Sequence, residues 1–165
     1  MKINIIFPYN TWGGAFRSTY ELANRMSDLG EDVKVYFPFL PYLEGENIYS
    51  LHGLKLFFRG LIRSLVRRSK VPWFELKVKT AIVPIIHNNF IRDADVVIAN
   101  HWPTAFSVIK LSEKKGEKFY CIRDTEPWSR KYNKELQAFK LPLKKIVTLK
   151  WIKDFLKEEV KEDVV

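Results

Sequence analysis

The residues with chemistry to offer fall in a few short stretches. Asn10, Trp12, Gly13, Gly14 and Arg17 lie near the start, His101 and Trp102 in the middle, Arg123, Asp124, Glu126 and Trp128 beyond them, and Thr148 near the end. A histidine titrates near neutral pH and can move a proton. Asp124 and Glu126 can accept hydrogen bonds from hydroxyl groups, and one of them can act as a base. Arg123 can hold an anion, and the indoles of Trp12, Trp102 and Trp128 can stack on the face of a sugar ring. Adjacent glycines can bring backbone N–H groups close to a phosphate at a helix N-terminus. Together these types suit a sugar or phosphate ligand.

Each type also has a plain structural use. Gly13-Gly14 can be tight-turn chemistry alone, and neither the Gly-x-Gly-x-x-Gly dinucleotide pattern nor a Walker Gly-Lys-Ser/Thr is present. His101 can be a packed or capping residue, and five tryptophans in one small domain are mostly core. Asp124 can pair with its neighbour Arg123. Asp93-Ala94-Asp95 superficially matches the acid-x-acid motif of metal-dependent sugar transferases, but it precedes its strand and so belongs at the opposite, amino edge of a sheet. With no metal-ligand spacing elsewhere, no metal and no other cofactor is expected. A single cysteine, Cys121, and no Gly-x-Ser-x-Gly leave nucleophilic hydrolysis without support.

These residues need elements to position them. Lys2 to Phe7 is a short apolar run stopped by Pro8, the pattern of a buried strand. Gly14 to Leu29 reads as a helix with Phe16, Tyr20, Leu22, Ala23 and Met26 as its stripe, ended by Gly30. Asp32 to Phe37 is a second strand, which completes a βαβ unit of a parallel sheet. Pro38 to Ser50 is a loop, Leu54 to Ser69 a helix, and Leu76 to Val83 a strand. Asp95 to Ala99 is a buried strand followed by a helix from Pro103 to Lys114. Lys118 to Ile122 and Lys145 to Thr148 are strands, and Ser129 to Phe139 and Lys150 to Val160 helices. The fold expected is α/β: an open, mostly parallel, Rossmann-like sheet of five or six strands flanked by helices. Ligands of such sheets bind beyond the carboxyl ends of the strands, where every candidate above falls.

At 165 residues the chain fits one domain, 1–165, and 47% hydrophobic with 28% charged residues is a globular composition. No apolar run reaches the roughly 18 residues of a membrane span, and the N-terminal run is too short for a signal peptide. One cysteine suits a reducing compartment, so a soluble cytoplasmic domain is expected. The net charge of +9 is uneven: Lys55, Arg59, Arg63, Arg67, Arg68 and Lys70 fall in a segment without acids, leaving only +3 for the rest of the chain. Leu54, Phe57, Phe58, Leu61, Ile62, Leu65 and Val66 share one helical face beside those bases. That face packs on the sheet, or it dips into a bilayer while the bases meet anionic headgroups. Nucleic acid fits less well, because no helix-turn-helix, zinc or RNA-binding motif accompanies the bases.

Four stretches share an order with a known family. Lys2 to Val35 resembles the opening of family 4 (group 1) glycosyltransferases: strand, Gly-Gly turn, a helix with Glu21-Leu22-Ala23-Asn24-Arg25, then Asp32-Val33-Lys34-Val35. Asp93 to Ala99 with Trp102-Pro103-Thr104-Ala105, and Phe119 to Trp128, are similar to the central strand and the acidic-aromatic loop of a rhamnosyltransferase-like branch. Ile146-Val147-Thr148 to Leu156 resembles the last strand and helix of that family's N-terminal domain. The resemblance implies one half of a GT-B fold, the acceptor-binding side of a retaining, metal-independent transferase that uses a nucleotide-sugar donor. It implies that Gly13 and Gly14 approach the donor diphosphate and that His101 contacts the donor sugar. The catalytic candidates are then His101, Asp124 and Glu126, and the substrate-binding ones Asn10, Trp12, Arg17, Trp102, Arg123, Trp128 and Thr148. A membrane-facing set, Lys55, Phe57, Phe58, Arg59, Leu61, Ile62, Arg63, Arg67 and Arg68, matches the basic amphipathic surface of many relatives. The partners implied are the donor, a glycan or lipid-linked acceptor and an anionic membrane surface, not nucleic acid. The family's donor domain, with its Glu-x7-Glu pair, has no counterpart in these residues, so the chain is expected to be inactive alone. The competing expectation is a stand-alone Rossmann-like binding module carried on the basic helix.

Overall fold

Side chains alternate along the strands, and that alternation divides the apolar residues between two cores. A computed structural model of the chain describes residues 1–10, 13–39, 51–67, 71, 73–125 and 132–160. In β1 (Lys2–Ile6), Ile3 and Ile5 join one core and Ile6 the other. In β2 (Asp32–Pro38), Val33, Val35 and Phe37 take the first side and Tyr36 the second. The same split continues through β4 (Val96–Asn100) and β5 (Glu117–Ile122), where Ile98 and Cys121 face the first core and Val97, Ala99, Tyr120 and Ile122 the second. A slip of one residue in any pairing would exchange the two sets, so register is strongly fixed.

With β3 (Lys79–Val83) and β6 (Lys144–Val147), the strands form one all-parallel sheet in the order β3-β2-β1-β4-β5-β6. The helices are α1 (Gly14–Asp28), α2 (Leu51–Arg67), α3 (Trp102–Val108), α4 (Tyr132–Phe139) and α5 (Lys150–Phe155), the last running on into a π-helical turn, Leu156–Val160. This is the Rossmann-like α/β fold expected. The order of the strands reverses between β1 and β4, so that gap is the topological switch point.

Two elements are shorter than the sequence suggests. The helix expected over Pro103 to Lys114 ends at Val108, where the backbone tightens: the Lys110 N–H goes to the Ser107 carbonyl at 3.2 Å and the Leu111 N–H to the Val108 carbonyl at 3.0 Å, and the Ser112 N–H then goes to the Asn88 side chain at 2.8 Å. The strand expected over Leu76 to Val83 begins only at Lys79. The Asn24 side chain of α1 takes the Lys77 N–H at 2.8 Å and donates to the Glu75 carbonyl at 2.9 Å, occupying backbone groups a strand ladder would use.

The amino edge is pinned by charge. Arg92 donates to Asn4 Oδ1 (3.0 Å), to the Asp32 carboxylate (2.7 Å) and to the Asp32 carbonyl (2.6 Å). Asp95 accepts the Lys2 N–H at 2.7 Å, and Asp93 pairs with Lys115 at 2.7 Å. The acid-x-acid pair therefore lies on the edge expected of it, engaged in structural bonds.

Candidate functional site at the carboxyl edge

Pairing of β1 with β2 extends one residue past the strand, through the Phe7 N–H to the Tyr36 carbonyl at 3.0 Å. Pro8, which has no N–H to donate, then turns the chain toward α1. Asn10 lies exposed in this loop, and Trp12 falls outside the described residues. The first backbone bond of α1 runs from Arg17 N–H to the Gly13 carbonyl at 2.9 Å. Among the described residues no side chain caps this helix, and no acid occupies its first turn. Its N-terminus therefore presents donors and a partial positive charge.

Gly13 is extended, at φ 162° and ψ 156°, and neither it nor Gly14 lies in the left-handed region that favours glycine. A Cβ on Gly13 would make only ordinary contact with Phe16, at 3.8 Å, and one on Gly14 would meet nothing within 4 Å among the described residues. Turn geometry and packing thus do not require glycine here, unlike at Gly116, where φ is 93° and a Cβ would lie 2.3 Å from the Asp95 carbonyl carbon. What the pair provides is bare backbone at an open surface.

Asn100 and His101 leave β4 immediately beside this loop, because β1 and β4 are in register, Ile6 opposite Ala99. Asn100 is buried, and its Oδ1 accepts the Thr19 hydroxyl of α1 at 2.9 Å. His101 is the one non-glycine residue with positive φ among the described residues, at φ 105° and ψ 145°. Its carbonyl accepts from the Thr104 N–H (3.1 Å) and the Thr104 hydroxyl (2.8 Å), so its main chain, rather than its imidazole, starts α3. Non-glycine residues in such backbone regions carry strain that collects at functional sites.

Trp102 is a correction to the stacking expectation. It is 7% exposed and belongs to the core, edge-on to Phe106 at 6.2 Å, with no open face to offer a sugar. The apolar start of α3 has to cover the sheet, and the largest side chain there does so.

One strand further, Arg123 is half-buried at the end of β5 and donates to the Ser18 hydroxyl of α1. Ser18 in turn lies 3.2 Å from the Gly14 and Ala15 carbonyls. The guanidinium also borders Cys121, whose thiol is pushed up by burial while Arg123 works the other way. Asp124 does not pair with Arg123. It is exposed, and it accepts the backbone N–H of Thr125 at 2.8 Å. Glu126 and Trp128 fall outside the described residues.

The structure therefore brings together Gly13, Gly14, His101 and Arg123, with α1 as the common piece. Arg17, exposed on its first turn, pairs with Glu21 at 3.0 Å. Thr148 is exposed after β6, two strands beyond β4, and so stands apart. Ser18 and Thr19 escaped the sequence reading, and Asn100, a polar residue closing an apolar strand, falls at the expected edge without being among its site residues. Among the described residues no cluster of His, Cys, Asp and Glu could hold a metal ion.

On α2 the expected single apolar face is divided. Leu51, Leu54, Phe58 and Ile62 are 83, 52, 53 and 60% exposed, while Phe57 and Leu61 are half-buried. Lys55 and Arg59 are exposed beside them; Arg63 and Arg67 are on the same helix, and Arg68 lies outside the described residues. Val71, Phe74, Leu76 and Val78 of the following segment pack with α1 in the first core. No described helix is long and apolar enough to cross a membrane.

No protein-family model matches the chain, and no curated protein sequence matches it.

Proposed function

We propose that these residues form the acceptor-side half of a retaining, metal-independent glycosyltransferase of the GT-B kind, which acts together with a donor-binding domain. The observation that carries this reading is the switch point. There an uncapped helix N-terminus, a glycine pair that packing does not demand, and a strained histidine meet at neighbouring strand ends. Bare backbone N–H groups suit the donor diphosphate, and a positive helix end suits its charge. His101 faces the sugar, and Asp124 with Glu126 supplies hydrogen-bond acceptors for hydroxyl groups. The acceptor is a glycan or a lipid-linked glycan, and no cofactor takes part. The sequence order quoted above, strand, Gly-Gly turn and central strand, supports the same reading.

The test is a titration of the 15N-labelled chain with nucleoside diphosphate sugars and with a lipid-linked glycan. The expected result is amide shifts at Gly13, Gly14, Ala15 and His101, with no turnover until a donor-binding domain is supplied. Shifts confined to the Asp93–Asp95 edge, or turnover by the chain alone, would defeat the proposal.

A specific observation favours a second element of this function, which would also serve a stand-alone binding module. The exposed stripe Leu51, Leu54, Phe58 and Ile62 lies on one side of a helix that carries bases and no acids. We infer that α2 rests on an anionic bilayer surface, where each base contributes about 1 kcal/mol and the apolar side chains add burial. This would make the protein peripheral to the inner face of the cell membrane. Co-sedimentation with anionic vesicles tests it; undiminished binding after neutralising Arg59, Arg63 and Arg67 would rule it out.

A further inference from the structure

We propose that Arg123 binds a phosphate group on the acceptor, at a position beside the Gly13-Gly14 turn and distinct from it. The inference rests on the acceptor-side reading above and names the acceptor's chemistry.

The contrast between two arginines carries the argument. Arg92 and Arg123 are both partly buried. Arg92 satisfies three of its N–H directions, including a carboxylate and a buried amide oxygen. Arg123 reaches two neutral groups, the Ser18 hydroxyl and the Cys121 thiol, and no carboxylate lies within ion-pair distance of it among the described residues. Its Nε is buried and has no acceptor. The adjacent carboxylate, Asp124, is engaged with Thr125 N–H. Thr125 itself is 3% exposed, and its hydroxyl is also buried without a partner. A guanidinium drawn from water without an anion is costly, and a native fold tolerates that where a ligand completes the bonding.

The surroundings select phosphate. Through Ser18, Arg123 is two hydrogen bonds from the first-turn carbonyls of α1, so it adds a planar fork of donors to a positive helix end. Its place is at β5, one strand past the switch point and away from β1. A ligand lying across the strand ends would thus reach Arg123 after passing His101, which is where the acceptor belongs if the donor diphosphate occupies the glycine turn. A lipid-linked acceptor supplies such a phosphate.

The experiment follows the side-chain Nε–H resonance of Arg123 in the 15N-labelled chain during titration with geranyl phosphate, inorganic phosphate and a nucleoside diphosphate. Geranyl phosphate is expected to move that resonance, and Arg123→Gln to weaken its binding about ten- to hundredfold, the loss expected for a charge-assisted bond. Arg123→Lys keeps the charge without the fork and should recover part of the affinity. Gly14→Val should weaken the nucleoside diphosphate and spare geranyl phosphate. A resonance that geranyl phosphate does not move, or equal affinity in a folded Arg123→Gln chain, would overturn the proposal. So would displacement of the Arg123 signal by the nucleoside diphosphate alone, which would place Arg123 on the donor. Binding of geranyl phosphate at Arg123 with no nucleotide response at Gly13–Ala15 would keep this site and remove the transferase reading.

Discussion

The Thr19 hydroxyl donates to Asn100 Oδ1 at 2.9 Å, a buried bond between residues 81 positions apart in sequence. Ser18, its neighbour on α1, receives Arg123 from β5. One turn of one helix is thus fastened to the ends of two adjacent strands. The distance between the α1 N-terminus and His101 is set by these bonds as well as by packing, because a hydrogen bond is directional where apolar contact is not.

Thr19→Val keeps the shape of the side chain and removes the donor, leaving Asn100 Oδ1 buried without its partner. The expected cost is about 1–3 kcal/mol in urea denaturation, and Thr19→Ser should restore most of it. Faster amide exchange at Asn100 and His101 in Thr19→Val would show that the bond holds the strand end in place. Unchanged exchange there would leave packing as the sole constraint.

Gly14 and Gly116 should respond in opposite ways. Gly116→Ala forces a Cβ against the backbone at Asp95 from a positive φ, and should cost several kcal/mol, about 3 or more. Gly14→Ala adds a methyl group to open space in a helical position and should raise stability by about 0.4–1 kcal/mol. If Gly14 serves a ligand, the same variant should lose nucleotide-sugar binding. Thermal melts and the titration above separate the two effects.

The amino-edge pairs make stability depend on acid. Hydrogen bonding to Arg92 lowers the Asp32 pKa, and hydrogen bonding to Lys115 lowers that of Asp93. A carboxyl group whose folded pKa lies below its unfolded one contributes stability above the unfolded value, about 4, and loses it as pH falls through the folded value. Urea midpoints should therefore drop as the pH is taken below about 4. Arg92→Met should flatten that drop on the Asp32 side; an unchanged slope would mean that the pair does not couple to folding.

On α2, Phe58→Asp with Ile62→Asp should leave the unfolding free energy from urea denaturation within about 0.5 kcal/mol of the parent, because both side chains are more than half exposed. Vesicle co-sedimentation should be lost. A large loss of stability would instead show that this stripe packs within the protein.

The strands and the parallel α/β class were legible because short apolar runs set between helical stripes are local signals, whereas the order of the strands in the sheet came only from the structure. Lys2 to Phe7, stopped by Pro8, and Asp95 to Ala99 are such runs. The end of α3 and the start of β3 were not legible, since α3 stops in short i to i−3 backbone bonds and Asn24 reaches the residues before β3 from distant sequence to claim backbone groups. The same is true of the site. His101 and Arg123 were visible as residue types at strand ends, but Ser18 and Thr19 look like ordinary helix residues until the sheet brings Asn100 and Arg123 against them. Trp102 misled for the converse reason: an indole next to a strand end looks available, and only packing shows that it covers the core.

His101 allows strain and function to be read from one variant. Its backbone, at φ 105° and ψ 145°, lies in a region that glycine enters freely and other residues enter at a cost of about 1–3 kcal/mol. The cost is balanced partly by what glycine adds to the freedom of the unfolded chain, about 0.5–1 kcal/mol. His101→Gly should therefore be as stable as the parent or more so, whereas His101→Ala keeps the strain, loses the ring and should be no more stable than the parent. If the histidine is retained for its imidazole, both variants lose donor-sugar binding although one of them melts higher. A His101→Gly chain that is less stable, with ligand binding intact, would assign His101 to packing alone.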